Sequence, residues 1–172
     1  MATKFMNFEK HAVVGTSELL ATIGGAHIRN IEATADIDNG CIVGCGEHLR
    51  PDVYAEAAAG TFSGTIIEQA ANGNWYVDVA EAVNCWLVAQ VPLIYEEYTT
   101  QCQHESNFYN AAGDIMRCME LKQYDRFEVS KEGFEGEPAV GATVSVSNKK
   151  LTVADAESDA GTDSGEDAGT DA

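Results

Sequence analysis

Alternation of apolar and polar residues is the strongest signal along this chain. Trp75, Val77 and Val79 alternate with Tyr76 and Asp78. A period of two places one apolar row on a single face of an extended segment, the pattern of a half-buried strand. Val140, Ala142, Val144 and Val146 alternate in the same way with Gly141, Thr143, Ser145 and Ser147. Phe127 and Val129 share one face, while Arg126, Glu128 and Ser130 share the other. Residues 85–91 are almost continuously apolar and end at Pro92, which predicts a core strand. Shorter strand-length runs lie at 28–33, 41–45, 65–69 and 151–153.

Turn residues separate these runs. Asn39-Gly40 and Asn72-Gly73 are tight-turn dipeptides because both residue types tolerate positive φ. Asn148-Lys149-Lys150 predicts a third turn ahead of 151–153. Short strands at fairly regular spacing predict a mainly β fold, a small antiparallel barrel or sandwich. Only 45–59, with Tyr54-Ala55-Glu56-Ala57-Ala58-Ala59, has helical character; a short helix or an alanine-rich loop is expected there. The division is an N-terminal arm at 1–25, a β domain at 26–154 and a tail at 155–172. Within the arm, Thr16-Ser17-Glu18-Leu19-Leu20-Ala21 can start one short helical turn, while the β-branched residues and Gly24-Gly25 permit an extended segment equally well.

Charge sharpens this division. The 172 residues carry 28 acids against 10 bases, a net of −18. Seven of the acids and none of the bases fall in 155–172, where Asp-Ala-Gly-Thr-Asp recurs at 159–163 and 167–171. That stretch lacks the apolar area to offset chain entropy and is expected to be disordered. The remainder still has a net charge of −11. Such a surface repels phosphate, so neither nucleic acid nor an anionic membrane is an expected partner. No apolar run is long enough to span a bilayer, and residues 1–7 contain no signal-peptide core.

Five cysteines, an odd number at irregular spacing, argue against a secreted disulfide framework. Cys85 and Cys118 sit among apolar residues as small core side chains. The sharpest metal-like pattern is Cys41-x3-Cys45-x2-His48, with Cys102-x-His104 as a distant second half. Zinc needs about four N/S ligands. Cys102 and His104 make a poor second pair for that purpose, and packed thiols are the better account. The acids Glu47, Glu96, Glu97 and Glu105 disfavour a thiolate nucleophile. Asp36-Ile37-Asp38-Asn39-Gly40 has the look of a calcium loop, but the later bidentate Glu is missing at the required distance. Glu96-Glu97 are adjacent, unlike carboxylates brought together from separate elements in a cleft. There is no P-loop, dinucleotide fingerprint, nucleophile elbow or paired-histidine protease motif. The expectation is a binding or structural protein, not an enzyme, using no cofactor and no metal. Phe5, Met6 and Phe8 in the arm, with Tyr95 and Tyr98 beyond Pro92, are the candidate interface residues.

The stretch Asn107-Phe108-Tyr109-Asn110-Ala111-Ala112-Gly113-Asp114, with Arg117, Leu121, Tyr124-Asp125-Arg126-Phe127-Glu128-Val129-Ser130 and Val140-Gly141, resembles small structural proteins of tailed bacteriophages. The resemblance covers about the C-terminal third of the expected folded part and carries over no functional residue. It implies a capsid decoration or head-stabilising protein that binds the major capsid protein or another virion protein non-covalently. It also implies a homo-oligomer, with a trimer among the options, located in the virion after assembly in the host cytoplasm. An acidic binding module, either a DNA mimic or an inhibitor of a basic partner, is the alternative.

Overall fold

Each alternating segment contributes a strand, the last of them only from Thr143, in the computed structural model, which describes residues 8–22, 27–92 and 98–154. In chain order the strands are β1 (Val14–Gly15), β2 (Ile28–Glu32), β3 (Ile42–Arg50), β4 (Val53–Ala57), β5 (Phe62–Gln69) and β6 (Trp75–Ala82). They continue as β7 (Trp86–Val88), β8 (Ile115–Glu120), β9 (Arg126–Val129), β10 (Phe134–Glu135), β11 (Thr143–Ser147) and β12 (Lys150–Val153). Five of them close a barrel in the order β2-β4-β3-β7-β8. The other seven form one sheet in the order β1-β9-β6-β5-β11-β12-β10. The fold is mainly β, as the alternation predicts, and a closed barrel is present. Pairing is antiparallel except for β2 with β4 and β10 with β12.

The turn dipeptides do the work expected of them, with one difference. Asn72-Gly73 closes the β5–β6 hairpin with Gly73 at φ +91°, and Asn148-Lys149 closes β11–β12 with both residues at positive φ. Gly40 also has positive φ, but its turn does not make a hairpin of β2 and β3. β2 instead pairs with β4 and β8, so the 33–41 connection carries the chain past β4 to the far side of the barrel.

The 45–59 segment is a correction. It contains no helix: β3 runs to Arg50, turns at Pro51-Asp52 with Asp52 at positive φ, and returns as β4. Alanine's helix preference loses because ladder hydrogen bonds and tertiary packing override a weak local propensity. Tyr54, on β4, packs against the barrel core.

Two cores share the strands. Ile31, Val43, Trp86, Val88, Met116 and Cys118 belong to the core of the barrel. Their neighbours Ile42, Leu87 and Met119 belong to the other core, with Ile66, Val77, Phe127 and Leu151 of the sheet. β7 is therefore buried on both faces, which is why its stretch reads as continuously apolar; the core strand is shorter than 85–91, with the buried run ending at Ala89 and Val91 exposed. Cys85 and Cys118 are fully buried, as expected from their neighbours.

Residues 8–22 lie against this body. Ala12, Leu19 and Ala21 are buried, Val14 and Gly15 pair with Val129 and Glu128, and Leu20–Thr22 forms the single helical turn. Residues 155–172 lie outside the described residues.

Candidate binding recess

Side-chain hydrogen bonds on the N-terminal side of the barrel fasten loops to one another and so build a concave site. His11 Nδ1 lies 2.7 Å from Asp38 Oδ1, and its ring stacks at a tilt on Tyr109. The His11 N–H donates to the Ser106 carbonyl, which ties the Glu105–Asn107 turn to the N-terminal segment. Asn39 and Gln90 bond reciprocally: Asn39 Nδ2 donates to the Gln90 carbonyl, and the Gln90 N–H donates to Asn39 Oδ1. Gln90 Oε1 in turn accepts the Arg117 N–H of β8 at 2.9 Å. Buried Asn110 completes the set by donating to the Ile37 carbonyl and to Asn39 Oδ1.

Between these fastened segments opens a recess of about 130 Å³. Val14 and Thr16, Val91 and Pro92, Glu105 and Phe108, and Arg117 and Met119 are among the residues that line it. The alternation of β8 explains the last two. Met116 and Cys118 join the barrel core, so Arg117 and Met119 emerge on the opposite face. Arg117 is half-buried and, among the described residues, has no carboxylate within ion-pair distance. It shares that with Lys10, Arg29 and Lys150, and of these four Arg117 is the one that lines the recess. Arg126, by contrast, holds Asp78 with two hydrogen bonds and reaches Glu18, and Asp78 leads in pushing its pKa up.

The residues singled out from sequence scatter differently. Phe8 is partly buried and Tyr98 is 79% exposed, while Phe5, Met6 and Tyr95 lie outside the described residues. Val91, beside the recess, is 61% exposed, so Val91 and Tyr98 present apolar surface on either side of segment 93–97. Cys41 is buried and its thiol is pushed up to about 11, by burial first and by Asp38 second. Burial likewise raises Cys85 and Cys118. Cys45 and Cys102 are only partly buried. Among the described residues, no three His, Cys, Asp or Glu side chains come together as a metal site, so Cys41, Cys45 and His48 do not converge. Asp36 accepts the Ala112 N–H and Asp38 is engaged by His11, so both carboxylates of the calcium-like turn serve the loop itself.

Sequence reasoning passed over Arg117, and also Glu56. The signal for Arg117 was present: a lone base in the mostly apolar run 115–121, whose other charged residue is Glu120. Glu56 sits at a groove between barrel and sheet with its side chain 3% exposed. Burial opposes its charge, but the hydrogen bonds from Lys149 Nζ and from the Thr34 N–H and hydroxyl win and hold its pKa below the usual carboxylate range. Those donors join β4 to the β11–β12 turn and occupy the carboxylate. In the recess, by contrast, Arg117 is left with donors to offer. Compared with family models, curated proteins and solved structures, the chain finds no match.

Proposed function

We propose that this chain is a structural protein of a virus particle, one that decorates or stabilises a phage capsid through non-covalent contact with the major capsid protein or another virion protein. The observation that carries the reading is where its polar groups go. The buried Asn110 and Asp125, and the nearly buried Glu56, each hold backbone or side-chain groups from separate segments and lock loops onto the β body. Rigid loops on a barrel fused to a sheet suit a protein whose task is to keep a shape. The exposed Val91 and Tyr98 supply apolar contact of the sort found at the centre of protein interfaces. The acidic surface discourages adhesion to packaged nucleic acid.

The deciding experiment is quantitative mass spectrometry of purified particles from a producing culture. A fixed, high copy number per capsid is expected, and Tyr98→Ser should lower it. Absence from particles would overturn the proposal.

One observation favours the alternative of an acidic binding module. Glu18, Glu68 and Glu128 gather around Tyr76 on the outer face of the sheet, and Glu128 first, then loss of hydration, then Glu18 and Glu68, push the tyrosine pKa upward. If that module is the function, removal of 155–172 weakens capture of a basic partner protein, and the protein does not travel with particles.

A further inference from the structure

From the walls of the recess we infer that it binds a small zwitterion, a free α-amino acid of glycine or alanine size. This goes beyond the particle proposal and stands or falls separately from it. Three features carry the inference. The first is Arg117, half-buried with no carboxylate partner among the described residues. A guanidinium removed from bulk water without an anion has given up hydration, and a carboxylate restores it with two parallel hydrogen bonds. The second is Glu105, exposed in the wall of the same recess and forming no ion pair with Arg117 or with any other described base. A carboxylate there disfavours an incoming dianion and attracts a positive group. A ligand that carries an ammonium and a carboxylate on either side of one carbon offers a partner of opposite sign to each residue.

The third is size and lining. About 130 Å³ is well below the ~300–1,000 Å³ of sites for larger ligands, so only a few heavy atoms fit. Val14, Pro92, Phe108 and Met119 supply apolar wall for a methyl or methylene group. The reciprocal Asn39–Gln90 bonds and the Gln90 bond to the Arg117 N–H hold the site's backbone in place before any ligand arrives. That lowers the ordering cost of binding.

The test is NMR titration of the isotope-labelled full chain with L-alanine, acetate and succinate in turn. L-alanine should saturate signals of Val14, Phe108 and the Arg117 side chain, acetate should bind about tenfold more weakly, and succinate more weakly still. Arg117→Gln should abolish the response. Glu105→Gln, at an exposed position that folding tolerates, should remove the preference for alanine over acetate. Equal responses to all three compounds, no saturation, shifts centred elsewhere, or an Arg117→Gln variant that folds and still responds would each overturn the inference. If Arg117→Gln fails to fold, the Glu105→Gln preference alone decides. Particle association of the same variants reads out the other proposal, so failure of one is distinguishable from failure of the other.

Discussion

At the scale of single residues, the groups that matter most are charged ones taken out of water. Glu56 is ionised in a nearly closed position because Lys149 and Thr34 donate to it. Its depressed pKa makes its contribution to stability complete above the unfolded value of about 4.3 and progressively lost as pH falls through the lower folded value. Glu56→Gln is therefore expected to cost about 2 kcal/mol at neutral pH, since it weakens charge-assisted hydrogen bonds. The variant should also lose less stability than the parent between pH 5 and pH 3 in urea denaturation. A parallel acid dependence in the two proteins would show that Glu56 is not the linked group. The cysteines give a second residue-scale prediction. With Cys41, Cys85 and Cys118 buried and their thiol pKa values raised, iodoacetamide should modify the folded chain quickly at Cys45 and Cys102 alone. Fast modification of a third thiol would show that the core opens readily.

At the scale of elements, close approaches and loop clamps decide how strands meet. Where β3 and β4 cross, a Cβ at Gly44 would lie 2.1 Å from the Ala58 carbonyl oxygen, closer than any real contact. Gly44→Ala must push the two backbones apart, and a loss of ~1–3 kcal/mol in thermal or urea unfolding is expected. Gly73→Ala offers a contrast. It meets no atom within 4 Å, so only its φ of +91° resists the substitution, and the cost is that of left-handed backbone strain. The turn before β9 works through Asp125. One carboxylate oxygen accepts the Leu20 N–H and the other the Lys122 N–H, while Tyr124 is held at φ +74° with its ring in solvent. Asp125→Ala leaves two backbone donors without their partner and should cost about 2 kcal/mol or more. It should also raise hydrogen exchange first at Leu20 and Lys122, and uniform loss of protection would contradict a local clamp.

At the scale of the molecule, the two sheets cannot be separated energetically. Ile42, Leu87 and Met119 belong to barrel strands but sit in the core of the seven-stranded sheet. Truncating one of them strips contacts from both halves, so Leu87→Ala is expected to cost ~2–5 kcal/mol. Unfolding should then remain one transition, with near- and far-ultraviolet circular dichroism coincident. Two resolved transitions would mean that barrel and sheet are independent folding units. The sheet's edges, β1 and β10, are only two residues long. Short edges offer little backbone for strand addition, so the particle contact we propose would rest on exposed side chains such as Val91 and Tyr98.

Much of this architecture was readable along the chain because period-two patterning and turn dipeptides are local physics. Residues 75–79, 126–130 and 142–147 place their apolar rows inward, while Val140 ahead of them is exposed, and Asn72-Gly73 and Asn148-Lys149 turn where their φ tolerance permits. The 45–59 segment misled because alanine's local preference carries no information about the strand that waits beside it. Barrel closure was equally out of reach, since it depends on β2 pairing with β4 and β8 across long loops. The charge excess and the burial of Cys85 and Cys118 were determined by the sequence itself, through composition and apolar neighbours. Only the tertiary structure decided that Glu56 has its cation, Lys149, 93 residues away, and that Arg117 lines a recess with no carboxylate partner among the described residues. Hydrophobic pattern specifies which face a residue takes; which charges end up facing each other depends on how distant segments are folded together.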